Sequence, residues 1–324
     1  MGNSFGTVES AIAKFRSRAS WNDRLAHWER PASAFEELKI QRAASQARAI
    51  VSANSWLNSN KVKVNPQGSY HNNTNVRLEA DMDLRVELPG IKTVYLDNLT
   101  PKEVDGKLGY FLDGGSFSQT ANRARHELEV DLIKYYGQGA VNSAGNKALT
   151  VKGLSGSRAD CDLVPVFSLH VISQGVGGDF HVDKGVAIFG KDESWTFNFP
   201  MQHCENGKLK RQRTAHRFKK CVRMLKQLNY ELAKMEMIPK RMPSFFIECI
   251  VYAVEDWIFL VESDDRYDRL IRILANVQSC LENPAWIRNA TEVNEIKFLF
   301  REKQAWTELE AKRFVAAALA RLGS

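Results

Sequence analysis

Two aspartate pairs and one glycine–serine turn are the residues whose types and spacing could do chemistry. Asp81-Met82-Asp83 lies in a run that alternates over its whole length. Met82, Leu84, Val86 and Leu88 fall on one face and Asp81, Asp83, Arg85 and Glu87 on the other. This pattern predicts a strand over Asp81 to Leu88. Residues two apart on a strand share a face, about 6.5–7 Å apart along the chain, and carboxylates so placed repel unless a cation lies between them. Two-metal sites hold divalent ions ~3.5–4 Å apart, and Mg2+ prefers carboxylate and phosphate oxygens. An Asp-x-Asp strand can therefore offer oxygens to both ions. Upstream, Gln67-Gly68-Ser69-Tyr70 makes a turn suited to a triphosphate. Gly68 permits close backbone approach, and Ser69 offers a hydroxyl and an N–H. A third acid would complete such a site. Asp160-Cys161-Asp162 offers two choices at the head of another apolar run, either able to bind a metal and accept a proton from an attacking hydroxyl. Taken singly, these motifs are a solvated strand face, a turn and a strand-entry acid pair. Together, in this order, they point to phosphoryl transfer.

The elements that must position them change character near residue 207. Before it, strands, glycines and helices alternate; after it nearly everything reads as helix. A helix is predicted over Ser33 to Leu57, with Phe35, Leu38, Ala43, Ala47 and Ile50 at helical spacing. Lys61 to Val64 reads as a short strand that Pro66-Gln67-Gly68-Ser69 breaks. Ser118 to Tyr136 suits a helix ended by Gly137, and Lys147 to Lys152, Ala159 to Leu169, Val186 to Phe189 and Trp195 to Phe199 read as strands. Phe218, Val222, Leu225, Leu228 and Leu232 form one stripe of a helix from about Thr214 to Met235. Pro243-Ser244 starts another helix, to about Val261. Asp264 caps a third, through Leu281, and Thr291 to Leu322 gives the last helical stretch after a break at Asn283-Pro284.

With these residues in place, a family likeness is visible. Gly68-Ser69-Tyr70, then Asn72-Asn73-Thr74-Asn75-Val76-Arg77, then Asp81-Met82-Asp83 resembles the polymerase-β-type nucleotidyltransferase signature. More narrowly it resembles the bacterial cGAS/DncV-like nucleotidyltransferases, or CD-NTases. Asp162-Leu163-Val164-Pro165 resembles that family's later D-x-x-P strand, which selects Asp162 over Asp160 as third acid. Phe199-Pro200, His203, Asn206-Gly207 and Thr214 resemble the family's link into its helical part. Val222-Arg223-Met224-Leu225-Lys226 resembles a helix also found in oligoadenylate synthetases, and Pro243-Ser244-Phe245-Phe246-Ile247-Glu248 the start of the next helix. The likeness runs from about residue 33 to residue 320.

The resemblance implies an α+β fold: a polymerase-β-like core, a mixed sheet flanked by helices, packed on a C-terminal helical bundle. Residues 1–206 would be the nucleotidyltransferase core with N-terminal helices, and 207–324 the helical domain, with the active site between them. It implies an enzyme dependent on two Mg2+ (or Mn2+) ions that joins ATP, GTP or other nucleoside triphosphates into a cyclic di- or oligonucleotide and releases pyrophosphate. Asp81 and Asp83 would hold ions against the donor triphosphate, and Asp162 the ion that activates the acceptor hydroxyl. Gln67, Gly68, Ser69, Thr74 and Lys226 would contact nucleotide. The product would be a second messenger in anti-phage (CBASS) signalling that switches on a separately encoded effector protein, with regulatory partner proteins a further expectation. Two rivals share the motifs: synthesis of linear oligonucleotides or addition to an RNA end, and a catalytically silent sensor of nucleotides or nucleic acid. The presence of all three acids argues against the second.

Composition excludes other classes. The 324 residues carry 45 Lys and Arg against 38 Asp and Glu, a net charge of +7 that favours an anionic partner without naming one. No run approaches the ~18 apolar residues of a membrane span. The five cysteines lie far apart, as reduced thiols do, so a cytoplasmic setting is expected; a monomer with no membrane and no need for nucleic acid is a further expectation. His203-Cys204 lacks partners at zinc spacing, and neither a P-loop nor a G-x-S-x-G serine occurs. Lys208, Lys210, Arg211, Arg213, Arg217, Lys219 and Lys220 read as a solvated helix face that could also attract triphosphates. Tyr70 suits base stacking or core packing equally.

Overall fold

The computed structural model describes residues 17–76, 81–110, 116–260, 265–301 and 304–323. Arg77 and Asp264, both drawn on above, lie outside these residues. Of the described residues, 32–72 and 81–201 form one compact unit. Its sheet runs β1 (Lys63–Gln67), β2 (Met82–Tyr95), β5 (Cys161–Gln174), β4 (Leu149–Val151), β3 (Val141–Asn142). β6 (Phe180–Phe189) pairs with the later part of β5, and β7 (Trp195–Asn198) with β6. The β2–β5 pair is parallel and the other pairs are antiparallel, so the sheet is mixed.

The alternation of β2 sets which face is buried. Met82, Leu84, Val86 and Leu88 are buried, and β2 packs against helices α2 (Ala34–Ala53) and α6 (Phe117–Tyr136). The acidic residues take the opposite face. The strand does not stop at Leu88. Pro89 and Gly90 make an irregularity, and pairing with β5 resumes at Ile91 in shifted register. β1 likewise runs through Pro66 to Gln67, two residues into the expected break. It is an edge strand, where a missing N–H costs little, and the chain turns only at Gly68.

α2 starts at Ser33 with a reciprocal capping box to Glu36, but it ends at Ala53 rather than at Leu57. Asn54 breaks it and caps a separate short helix, α3 (Ser55–Ser59), accepting from the Leu57 N–H at 2.9 Å. Its buried stripe is Ile40, Ala43, Ala44, Ala47, Ile50 and Val51, while Phe35 and Leu38 face solvent. Gly137, at φ 86°, closes α6.

Residues 17–31, 73–76 and those from Gln202 onward form the second unit, which is helical. It contains α1 (residues 17–28), α7 (Pro200–Arg213, entered from the sheet unit), α8 (Arg217–Lys234), α9 (Ser244–Tyr252), α10 (Arg266–Glu282), α11 (Pro284–Asn289) and α12 (Glu308–Leu322). The stripe of α8 is fully buried and packs with Phe246, Ile250, Leu274 and Phe314. α7 occupies a stretch read from sequence only as a link. The helix from Ser244 ends at Tyr252, followed by a 3-10 turn over Asp256–Phe259, because Lys210 Nζ donates to the Val254 carbonyl and pairs with Asp256 at 2.8 Å. Lys210 and Lys219 of the basic cluster are buried, so that cluster is not uniformly a solvated face. Asp265 caps α10. Among the described residues, 290–301 and 304–306 are not helical. The Asn294 side chain accepts from the N–H groups of Ile296 and Lys297 and folds a turn, and a second capping box at Thr307–Glu310 starts α12. The five cysteines are free, and no helix among the described residues is long and apolar enough to cross a membrane.

Candidate active site

The sheet register places the acids. Asp83 on β2 is the register partner of Asp162 on the parallel neighbour β5. Gln67 on β1 opposes Asp83, and Thr150 on β4 opposes Asp162. Gln67, Asp83, Asp162 and Thr150 thus form one row across four strands on one face, with neighbours about 4.8 Å apart in the pairing direction. Asp83 and Asp162 are half-buried, and the exposed Asp81 immediately precedes β2. Two carboxylates opposed across a strand pair repel, and a cation between them would relieve that repulsion. Behind it, burial, then the charges of Asp162 and Asp83, pushes the Cys161 thiol up to about 12.

The turn after β1 is fitted to this row. Gly68 sits at φ 71°, and a Cβ there would lie 1.8 Å from Asp83 Oδ2. Only glycine lets the backbone lie against the carboxylate at that φ. Ser69 follows in a one-turn helix, α4 (Gly68–His71). Tyr70 is half-buried, with its hydroxyl 3.5 Å from Glu37 Oε1.

Asp160 is used differently. Its carboxylate accepts the Gly153 N–H, and a Cβ on Gly153 would clash with the Arg158 carbonyl at 2.7 Å. Asp160 is therefore a latch on the 153–160 loop, whereas Asp162 sits in the acid row. Asn can still accept that bond, so Asp160→Asn should keep at least about half of any activity and Asp162→Asn should lose it. A steady-state assay of the two variants side by side checks this; the reverse order would transfer the third-acid role to Asp160.

Among the described residues, no three His, Cys, Asp or Glu side chains gather as a ready-made metal cage. Mg2+ does not need one, since it keeps waters and substrate phosphates alongside one or two carboxylates. The carboxylate oxygens of Asp83 and Asp162 in the row fit such an ion.

Thr74 and Lys226 belong to the helical unit. Lys226 Nζ donates to the Thr74 carbonyl at 3.0 Å and to its hydroxyl at 3.3 Å. The Thr74 hydroxyl in turn donates to Glu248 Oε2 at 2.9 Å, and His203 Nε2 lies 3.0 Å from Glu248 Oε1. Arg223 donates to the carbonyls of Glu29 at 2.6 Å and Asn73 at 2.7 Å. Glu248, His203 and Arg223 were not among the expected site residues. A lone acid inside the apolar run Phe245-Phe246-Ile247-Glu248-Cys249-Ile250 was the available signal.

Burial alone would raise the Glu248 carboxyl. The His203 hydrogen bond and charge, the charge of Lys226 and the Thr74 hydroxyl outweigh it and bring it to about 2. A carboxyl depressed on folding gives stability that is complete above its unfolded value near 4.5 and is lost as pH falls toward about 2. The melting temperatures of the wild type and Glu248→Gln should therefore differ most above pH 4.5 and converge between there and pH 2. A gap that widens on acidification would contradict the direction.

Comparisons with known proteins bear on this arrangement. The chain is 32% identical over 309 residues, 92% of its length and 96% of the relative's, to a cyclic dipyrimidine nucleotide synthase CdnE of Legionella pneumophila. Residues 205–323 match the cGAS/DncV-like nucleotidyltransferase C-terminal helical domain. The chain belongs to the cGAS/DncV-like nucleotidyltransferases. A cyclic dipurine nucleotide synthase of Elizabethkingia meningoseptica is 30% identical over 302 residues, 90% of this chain and 94% of that one. The structure of an Elizabethkingia meningoseptica CdnE cyclic dinucleotide synthase with GTP and Apcpp superposes with a TM-score of 0.72 at 28% identity, covering 94% of this chain and 99% of that one. For this CD-NTase, the expected mixed sheet with flanking helices and a C-terminal helical domain is the observed fold.

Proposed function

We propose that this CD-NTase joins nucleoside triphosphates into a cyclic di- or oligonucleotide. The observation that carries the reading is the row in which Asp83 and Asp162 are register partners, with Gly68 set against Asp83 so closely that no side chain fits. That geometry supports nucleotidyl transfer; the relatives named as cyclic nucleotide synthases support ring closure.

In this reading Asp81, Asp83 and Asp162 would hold Mg2+ beside the donor triphosphate. When bound, such ions neutralise the triphosphate and make the acceptor hydroxyl more acidic. Gly68 and Ser69 present the turn's backbone and hydroxyl to the donor phosphates, with Gln67 at the edge of the row. Asp162 takes the proton of the acceptor hydroxyl. That oxygen forms a bond to the α-phosphorus, the bond from the α-phosphorus to the bridging oxygen breaks, and pyrophosphate leaves. A second transfer within the linear product releases a second pyrophosphate and closes the ring. Thr74 and Lys226 enter as supports of the turn.

The relatives include a dipyrimidine and a dipurine synthase, so the bases used here are set by side chains that differ among them. The product's role as a messenger read by a separately encoded effector, in anti-phage signalling, is part of the proposal. The test of nucleotidyl transfer is pyrophosphate release from the four ribonucleoside triphosphates with Mg2+ or Mn2+. Steady release that chelation of the metal stops is the expected result, and none with any nucleotide would contradict the reading.

A further inference from the structure

The buried polar network of the helical unit sits where the chain passes between the two units. The described chain changes unit after Pro31, after Asn72, between residues 76 and 81, and after Met201. Arg223 holds the Glu29 and Asn73 carbonyls; Lys226 and Glu248 hold Thr74; Glu248 also holds His203. Three of the four passages are thus tied, within two residues of the change, by side chains from two consecutive helices, α8 and α9.

The choice of residues is informative. Thr74, Glu248 and Lys226 are 0%, 2% and 5% exposed. Removing a carboxylate and an ammonium from water costs several kcal/mol each, so such a set gains little stability over an apolar cluster of the same volume. What it supplies is one geometry: the Glu248 carboxylate needs both its partners, and the Thr74 hydroxyl accepts from Lys226 while donating to Glu248. The segment held in this way, 73–76, leads from Gly68-Ser69 and His71 on one side toward Asp81 and Asp83 on the other.

We propose that Glu248, with Thr74 and Lys226, is a set of positioning residues that fixes residues 73–76, between the glycine–serine and aspartate motifs, and so sets the turnover rate. The proposal rests on the nucleotidyltransferase reading. It differs from direct nucleotide contact by Thr74 or Lys226, because it predicts that removing the Thr74 hydroxyl lowers kcat and leaves KM unchanged.

The test compares wild type, Thr74→Val, Glu248→Gln and the double variant by product formation and by hydrogen exchange of the amides of 73–76. The expected result is a fall in kcat of about tenfold or more for each single variant, as slight misplacement of reacting groups produces. KM should stay within about twofold, the double variant should be no slower than the slower single one, and exchange at 73–76 should be faster while that of α12 is unchanged. Unchanged kcat, losses that multiply, or a rise in KM alone would overturn the proposal. If Glu248→Gln does not fold, Thr74→Val, which loses one hydroxyl at constant shape, decides alone. If the wild type forms no product, the functional reading has failed, and exchange decides the anchoring: faster exchange in Thr74→Val supports it and unchanged exchange overturns it.

Discussion

Asp83→Asn should give a folded protein whose product formation is down by at least about 10³-fold, the upper end of what one electrostatic group contributes. Asp83 stands opposite Gln67 on one side and Asp162 on the other, at the centre of the row. Asparagine keeps the shape of the side chain and removes the charge that would hold a cation against a triphosphate. The fold should not suffer. Asp83 and Asp162 carry like charges on adjacent strands and repel when no divalent cation is present, so removing one charge should leave the protein folded. Activity and fold therefore separate. Activity assays and thermal melts in EDTA on the same preparation check both halves. Retained synthesis would remove Asp83 from the metal-binding set; a lowered melting temperature would make it a structural residue.

Gly68→Ala should be nearly as damaging, for a steric reason. A Cβ would fall 1.8 Å from Asp83 Oδ2 and 2.6 Å from its Cγ, and the backbone is at φ 71°. The turn must move away, the carboxylate must rotate out of the row, or both. Left-handed backbone at a residue with a Cβ costs about 1 kcal/mol, and displacement of the catalytic carboxylate by ~1 Å costs about 10²-fold in rate. The expected result is a loss of turnover of 10²-fold or more with destabilisation of about 1–2 kcal/mol. Gly106 is the control. It lies inside α5 (Pro101–Leu108) with nothing within 4 Å of a built Cβ, so Gly106→Ala should stabilise the protein by up to about 1 kcal/mol and leave turnover alone. Equal activity in the two variants would show that Gly68 is not packed against the site.

The sequence showed the acids and the glycine–serine turn because their chemistry is local. Alternation around Asp81 and Asp83 marks the face, and two-residue spacing is enough to align them. The pairing of Asp83 with Asp162 was not legible, since register across parallel strands some eighty residues apart depends on the β2–β5 contact and not on either strand's own pattern. The pattern of the strand alone does not separate Asp160 from Asp162 either; only the resemblance to a D-x-x-P strand selects Asp162. Both alternate correctly, and only the fold of the 153–160 loop commits Asp160 to the Gly153 N–H. Element ends were misplaced where a side chain from elsewhere satisfied the backbone. Lys210, more than forty residues away in the chain, takes the Val254 carbonyl and lets the helix from Ser244 stop early. Asn54 and Asn294 form turns inside stretches that read as continuous helix. The polar network around Glu248 was hidden for a related reason. His203, Lys226 and Glu248 are each ordinary residues of their own helices, and only the packing of α7, α8 and α9 around Thr74 turns the three and Thr74 into a buried set.

If the acid row builds a ring from nucleoside triphosphates, the ring survives phosphatase. Wild type and Asp83→Asn are incubated with the four ribonucleoside triphosphates and Mg2+, digested with phosphatase, and the survivors weighed by mass spectrometry. The wild type should yield a phosphatase-resistant species with the mass of its linked nucleotides and no terminal phosphate to lose, and the variant none. A linear oligonucleotide, a product that persists in the variant, or no product under any nucleotide combination would contradict ring building by the acid row.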